Sequence, residues 1–275
     1  MKTTKIILVL ALAFSIFSCS KDDNNSSSEL SEAKVSAQID QATEDVAKIV
    51  EDQYALQVTP TAGKSALQTQ ELPPCATVTV ATTATTWTRT VVFDNCTLPN
   101  GNVLDGTIIA SGSLNFDTPS YTISYSFVDF HHNNILIEGN RTVVRTHQST
   151  ATLATIHPVA TMSIDMTVTF PNGNVYHRVG NRVREMIEGV GTPLIWADNV
   201  FSVSGSWTTT FPAGTQTSTI TTPLRVEVGC PNIVSGVVAI VRNDNTATLD
   251  YGNGDCDNQA TLTINGNTTT ITLGN

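Results

Sequence analysis

From residue 75 onward, apolar and polar side chains alternate with a period of two. Met162, Ile164, Met166, Val168 and Phe170 alternate with Thr161, Ser163, Asp165, Thr167 and Thr169. Tyr121, Ile123, Tyr125 and Phe127 do so against Thr122, Ser124 and Ser126. Phe201, Val203 and Trp207 follow the same rule against Val200, Ser202 and Ser206, with Gly205 inside the run. One apolar and one polar face per strand is the antiparallel pattern. Pro99-Asn100-Gly101-Asn102, Pro171-Asn172-Gly173-Asn174, Pro212-Ala213-Gly214 and Asn265-Gly266-Asn267 punctuate the runs. Their Gly and Asn supply the positive φ of tight hairpins. About 12–14 strands fit between such signals. A sheet of that size curls or splits into two layers. The expected fold is therefore mostly β, an antiparallel β-sandwich or strongly curved sheet of about 12–14 strands, preceded by one amphipathic helix.

That helix is expected over residues 29–57. Val35, Ile39, Ala42, Val46 and Ile49 recur at spacings of three and four, which makes one apolar stripe. Ser26 and Glu29 have capping-box spacing. Glu32, Asp40, Glu44, Asp45, Glu51 and Asp52 lie off the stripe, on the other face. Such a helix either packs on the sheet or acts as a spacer. Residues 58–74, with Pro60, Gly63, Pro73 and Pro74, read as a linker, and 75–275 as the β domain.

Upstream the pattern is that of a targeting signal, expected over 1–18. Lys2 and Lys5 precede an apolar run from Ile6 to Phe17 broken only by Ser15. The run is too short for a bilayer core of ~30 Å. Ile16-Phe17-Ser18-Cys19 resembles the lipobox of bacterial lipoproteins. In that family the cysteine is acylated and becomes the mature N-terminus. Ser20-Lys21-Asp22-Asp23 resembles the acidic export tag of Bacteroidota surface lipoproteins, so 19–28 reads as a lipidated cysteine and flexible acidic, serine-rich tether. Further stretches carry a resemblance to Bacteroidota lipoproteins of no assigned activity. These are Arg182-Val183-Arg184-Glu185, Ile187-Glu188-Gly189, Thr221-Thr222-Pro223-Leu224, and Leu249-Asp250-Tyr251-Gly252 with Asp257-Asn258. The resemblance implies a lipid anchor in the outer membrane and display at the cell surface, with a periplasm-facing orientation as the alternative. It implies no reaction.

Composition narrows the partners. The formal charge is −10 over 275 residues, and only 14% of residues are charged. An acidic chain with no basic, aromatic-interleaved patch is a poor match for nucleic acid. No lysine follows Lys64; the positive charges of the β region are Arg89, Arg141, Arg145, Arg178, Arg182, Arg184, Arg225 and Arg242. Arg182 and Arg184 share a strand face and are expected to bridge to neighbouring strands.

Four cysteines remain besides Cys19: Cys75, Cys96, Cys230 and Cys256. An exported chain would use them as two disulfides. The midpoint of Cys75 and Cys96 falls between Thr85 and Thr86, and that of Cys230 and Cys256 at Asn243, each between strand-like runs. Residues equidistant from a turn face each other in a hairpin. Local pairing, Cys75–Cys96 and Cys230–Cys256, is therefore expected, with cross-pairing as its rival. The two ends of the domain carry related Cys-hairpin-Cys-hairpin units.

Candidate chemistry is sparse. Asp250, Asn253, Asp255 and Asp257 on a glycine-rich loop offer oxygen ligands for Ca²⁺, although the spacing is not that of an EF-hand. The same residue types also make turns. His131, His132, His147, His157 and His177 show no zinc spacing. An unbroken strand would put Glu185 and Glu188 on opposite faces. No nucleophile elbow or phosphate loop is present. Tyr121, Tyr125, Phe127, Phe130, Trp196, Trp207 and Phe211 suit a core or a glycan or lipid site, and Trp87 and Trp196 lie near turn signals where exposure is expected. Thr-x-Thr pairs, as at Thr261–Thr263, suit exposed strands. The expected role is binding or structural: adhesion, glycan capture or an accessory subunit of an envelope protein complex. A carrier of a lipophilic ligand is the alternative, and a hydrolase on a β scaffold a third.

Overall fold

A computed structural model describes residues 23–58, 72–193, 195–212, 214–242 and 245–274. One helix, α1 (Asp23–Val58), precedes fourteen strands. They are β1 (Thr77–Thr82), β2 (Thr86–Thr97), β3 (Val103–Ser113), β4 (Ser120–His132), β5 (Ile135–Glu138), β6 (Asn140–Gln148) and β7 (His157–Thr169). Then follow β8 (Val175–Glu188), β9 (Val200–Phe211), β10 (Gly214–Glu227), β11 (Ser235–Arg242), β12 (Asn245–Asn253), β13 (Gln259–Ile264) and β14 (Asn267–Thr272). All belong to a single antiparallel sheet, so the curved form of the expected fold is the one adopted. The sheet is a meander in which strands pair with their chain neighbours. The strand order departs from this where β5 and β6 lie in line, both between β4 and β7. Gly139 makes the break, with φ +124°; a Cβ there would stand 2.4 Å from the carbonyl oxygen of Asp165.

The sheet curls around the helix. Ile39, Val46 and Ile49, on the apolar stripe, are fully buried, as expected. Asp40, Glu44, Asp45, Glu51 and Asp52, on the acidic face, are buried as well. The physical reason is that the sheet meets the helix from several sides. Side chains of β2, β4, β8, β11 and β12 all hydrogen-bond to it. The helix and the strands share one apolar core, running from Ala33 to Leu273. The helix also begins at Asp23, inside the stretch read as a tether, so Ser26 lies within it and not at its cap.

Each strand turns its apolar parity inward. β7 reads buried at Met162, Ile164, Met166 and Val168, and exposed at Thr161, Ser163 and Asp165. The outward parity forms cross-strand rows of small polar residues. One row runs Ser111–Ser124–Thr142–Ser163–Asn181–Ser206 across β3, β4, β6, β7, β8 and β9. Trp87, expected near solvent, is fully buried instead. It shares inward parity with Val91 and Phe93, and its indole N–H donates to the Tyr121 hydroxyl at 2.6 Å.

Candidate functional site

The densest chemistry in the molecule is internal, where α1 faces β8. Arg178, Arg182 and Arg184 share the inward parity of Tyr176 and Met186, so the strand aims three guanidinium groups at the helix. Asp40, Glu44 and Glu51 recur at helical spacing and meet them. Asp40 accepts from both Arg178 and Arg182. Glu44 accepts from Arg182 Nη1 at 2.9 Å and from Arg184 Nε at 3.1 Å. Glu51 Oε2 lies 3.0 Å from Arg184 Nη1. The Tyr251 hydroxyl donates to the other Asp40 oxygen at 2.9 Å. The guanidinium of Arg182 also lies over the Trp207 ring, 4.2 Å from its centroid. These arginines therefore reach the helix, not neighbouring strands as the sequence suggests.

Burial decides the ionisation here. It pulls Arg178 down to about 10, against the opposing pull of Asp40. It acts to lower Arg182 too, but two carboxylates, Asp40 and Glu44, outweigh it and hold that group above its ordinary value. Burial, followed by the charge of Asp40, pushes the Tyr251 phenol well up. Lys48 is lowered by burial although Asp52 holds its ammonium. Among the described residues Glu32, Asp40, Glu44, Asp45, Glu51 and Asp52 of the helix each face at least one donor.

A second cluster surrounds Asp45. Its Oδ1 accepts from Gln41 at 3.1 Å and Asn100 at 3.0 Å; its Oδ2 lies 2.7 Å from both Asn102 Nδ2 and His132 Nε2. Asn100 and Asn102 belong to the β2–β3 turn, so residues that make the hairpin also clamp the helix. An adjoining crevice lined by Gln41, Asn102, His132, Asn232 and Tyr251 has a volume of about 20 Å³. That is room for about one water.

The remaining histidines are dispersed. His157 Nε2 lies 3.3 Å from Glu185, whose carboxylate also accepts from Thr150 at 2.7 Å. The carboxylate, not the imidazole, touches the hydroxyl, which is the wrong order for activating a nucleophile. His177 pairs with Asp165 at 2.9 Å. A bulge between Met186 and Glu188 interrupts the face rule assumed for Glu185 and Glu188; Glu188 instead holds Arg225 at 2.7 Å.

The expected Ca²⁺ ligands do not assemble. Asp250 accepts from the Gly252 amide, Asn253 from Asp255, and Asp257 from Gln259. These are the local bonds of Asx turns. Among the described residues no group of three His, Cys, Asp or Glu side chains is placed to hold a metal ion. The cysteines pair locally: Cys75 with Cys96 and Cys230 with Cys256, with Cα atoms 5.6 and 5.7 Å apart. Of the aromatics, Tyr121, Tyr125, Phe130, Trp207 and Phe211 are core, and Phe127 is partly buried against it. Cys19, Ser20, Lys21 and Asp22 lie outside the described residues, as does the side chain of Asp23 at the helix start. So does that of Trp196.

The outer face offers a different surface. A shallow concavity of about 290 Å³ is lined by the outward side chains Ser111, Ser124, Ser126, Asn140, Thr142 and Ser163. Thr142 and Ser163 share a hydrogen bond at 2.8 Å across β6 and β7. Sequence parity made these positions outward but gave no sign of the hollow, which lies beside the β5–β6 break. No protein-family model, curated protein or solved structure matches this chain.

Proposed function

We propose that this chain is a lipid-anchored envelope protein, held at the outer membrane through Cys19 and displayed at the cell surface, whose β domain binds or scaffolds. The observation that carries the binding role is the occupied interior: a charged helix fills the curl of the sheet and engages its inward arginines. The space a lipophilic cargo would need is taken by the protein itself. Recognition is left to the outer face, where hydroxyls and an amide, with Ile109, Tyr125 and Arg141, line a hollow. Such groups suit hydrogen bonding to a neutral polyhydroxylated ligand such as an envelope or host glycan. The anchor reading rests on the resemblance around Cys19 and on a basic–apolar leader too short to span a bilayer.

Two measurements test the reading separately. Cys19→Ser should abolish labelling by a fatty-acid probe and release the protein from the membrane fraction; equal labelling of both forms refutes the anchor. For binding, the soluble domain is screened on a glycan array beside a Ser124→Arg variant, which fills the hollow from an exposed position. Retention of neutral glycans by wild type, lost in the variant, supports the site. Identical profiles for the two proteins refute it.

A further inference from the structure

The charges inside the sheet do not cancel. Among the described residues six arginines are buried inside the sheet, Arg89, Arg141, Arg145, Arg178, Arg182 and Arg184. Arg178, Arg182 and Arg184 share three carboxylates, Asp40, Glu44 and Glu51. Lys48 with Asp52, and Arg242 with Glu32, are separate pairs. Arg141, from β6, has no carboxylate among the described residues, yet it is 2% exposed. Its Nη2 faces the thioether of Met166, a weak acceptor, at 2.7 Å. Its Nε and Nη1 have no hydrogen-bond partner. The Phe127 ring, 5.5 Å from the guanidinium carbon, gives a cation–π contact but accepts no proton in their place.

Neighbouring groups add donors. Tyr125, the register partner of Arg141 on β4, is buried, and its hydroxyl lies beside the Arg141 guanidinium, whose charge and hydrogen bonding favour the ionised phenol against burial. Arg184 Nη2 is likewise unpartnered. The one unpartnered carboxylate oxygen nearby is Glu51 Oε1, and Glu51 already serves Arg184. A buried cation without a counter-charge is strongly disfavoured. A water could take two of these N–H groups but would leave the charge of the Arg141 guanidinium uncompensated.

We propose that the Arg141 guanidinium and the Tyr125 hydroxyl hold a small monovalent anion of the halide class, inside the sheet between β4, β6 and the helix. The anion accepts from Arg141 Nε and Nη1 and from the phenol, and it gives Arg141 the counter-charge that the helix does not supply. It is structural: it ties β6, which lacks an acidic partner on the helix, into the network that β8 forms with Asp40 and Glu44.

The test is crystallographic and thermal. Crystals of the whole domain grown or soaked in bromide should give an anomalous peak at hydrogen-bond distance from Arg141 Nε or Nη1. The melting temperature in chloride should rise with the logarithm of concentration above that in gluconate at equal ionic strength. Arg141→Met should abolish that chloride dependence. Should this variant not fold, Tyr125→Phe, which keeps the ring and removes one donor, should shift the dependence to higher chloride. Bromide found only on the surface, a water at the site, or Arg141 turned onto Glu51 would each overturn the proposal. So would identical melting in chloride and gluconate.

Discussion

At the scale of the residue, this core is held together by groups that sequence readers place at the surface. A buried ion pair adds little net stability, because desolvation offsets the attraction. Removing one member is another matter, since the partner keeps its charge and loses its compensation. Arg182 bridges Asp40 and Glu44 while fully buried. Arg182→Met should therefore destabilise the domain by about 3–5 kcal/mol in denaturant unfolding. A loss below about 1 kcal/mol would mean that water reaches the cluster. The double variant Arg182→Met with Glu44→Leu should recover part of the loss. Tyr251 gives a pH signature. Its folded phenol is raised by burial and then by Asp40, whereas the unfolded phenol ionises near pH ~10. The folded state thus holds a proton that the unfolded state gives up, and stability falls as pH rises above about 10. Arg178, lowered to about 10 by burial, acts with the opposite sign in the same range. The comparison to make is wild type against Tyr251→Phe. The wild-type stability should fall more steeply above pH ~10 than that of the variant; parallel curves would show that the phenol titrates normally.

At the scale of the element, the hairpin arithmetic succeeded because it used only local geometry. The β1–β2 register pairs Thr77 with Val92 and Thr82 with Trp87, and the β11–β12 register pairs Arg242 with Asn245. Both centres fall within about a residue of the cysteine midpoints. Each disulfide closes its own hairpin and should stabilise by about 3 kcal/mol, mainly through the unfolded state. Cys96→Ser should lower the global stability and speed amide exchange in β1 and β2, leaving exchange in β11 and β12 protected. Non-reducing peptide maps should show Cys75 only with Cys96; a Cys75–Cys230 peptide would contradict the structure. The helix was harder to place. Its stripe was legible from Val35, Ile39, Ala42, Val46 and Ile49, and that stripe is buried. What its acidic face meets was not legible, because a helical wheel contains no information about what approaches from the other side. A clue existed in the strands. Arg178, Arg182 and Arg184, like Arg141 and Arg145, carry the parity of their buried apolar neighbours. Arginines on an apolar face call for acids elsewhere in the chain, and α1 holds the densest supply.

At the scale of the whole molecule, the distribution of charge separates inside from outside. The inward arginines meet the helix, while the outer rows across β3 to β9 are largely uncharged serine, threonine and asparagine. Such a surface suits display on a membrane-tethered domain. If the Lys21-Asp22-Asp23 stretch directs display, replacing these residues by Ala should protect the protein from protease added to intact cells, at unchanged total amount. Unaltered digestion would mean the stretch carries no address. The helix starts at Asp23, four residues after Cys19, so a lipid on that cysteine would hold the domain close to the bilayer.

The sequence by itself determined the properties that depend on neighbours along the chain. Strand parity follows from the two-residue period, hairpin centres from Asn-Gly chemistry, and disulfide partners from symmetry about those centres. Tertiary structure decided everything that depends on groups far apart in the chain meeting in space. Asp40 and Arg182 are 142 positions apart, and no period or spacing links them. Whether an acidic helical face meets water or guanidinium groups is set by the curvature of the sheet, and curvature accumulates from small twists over all its strands.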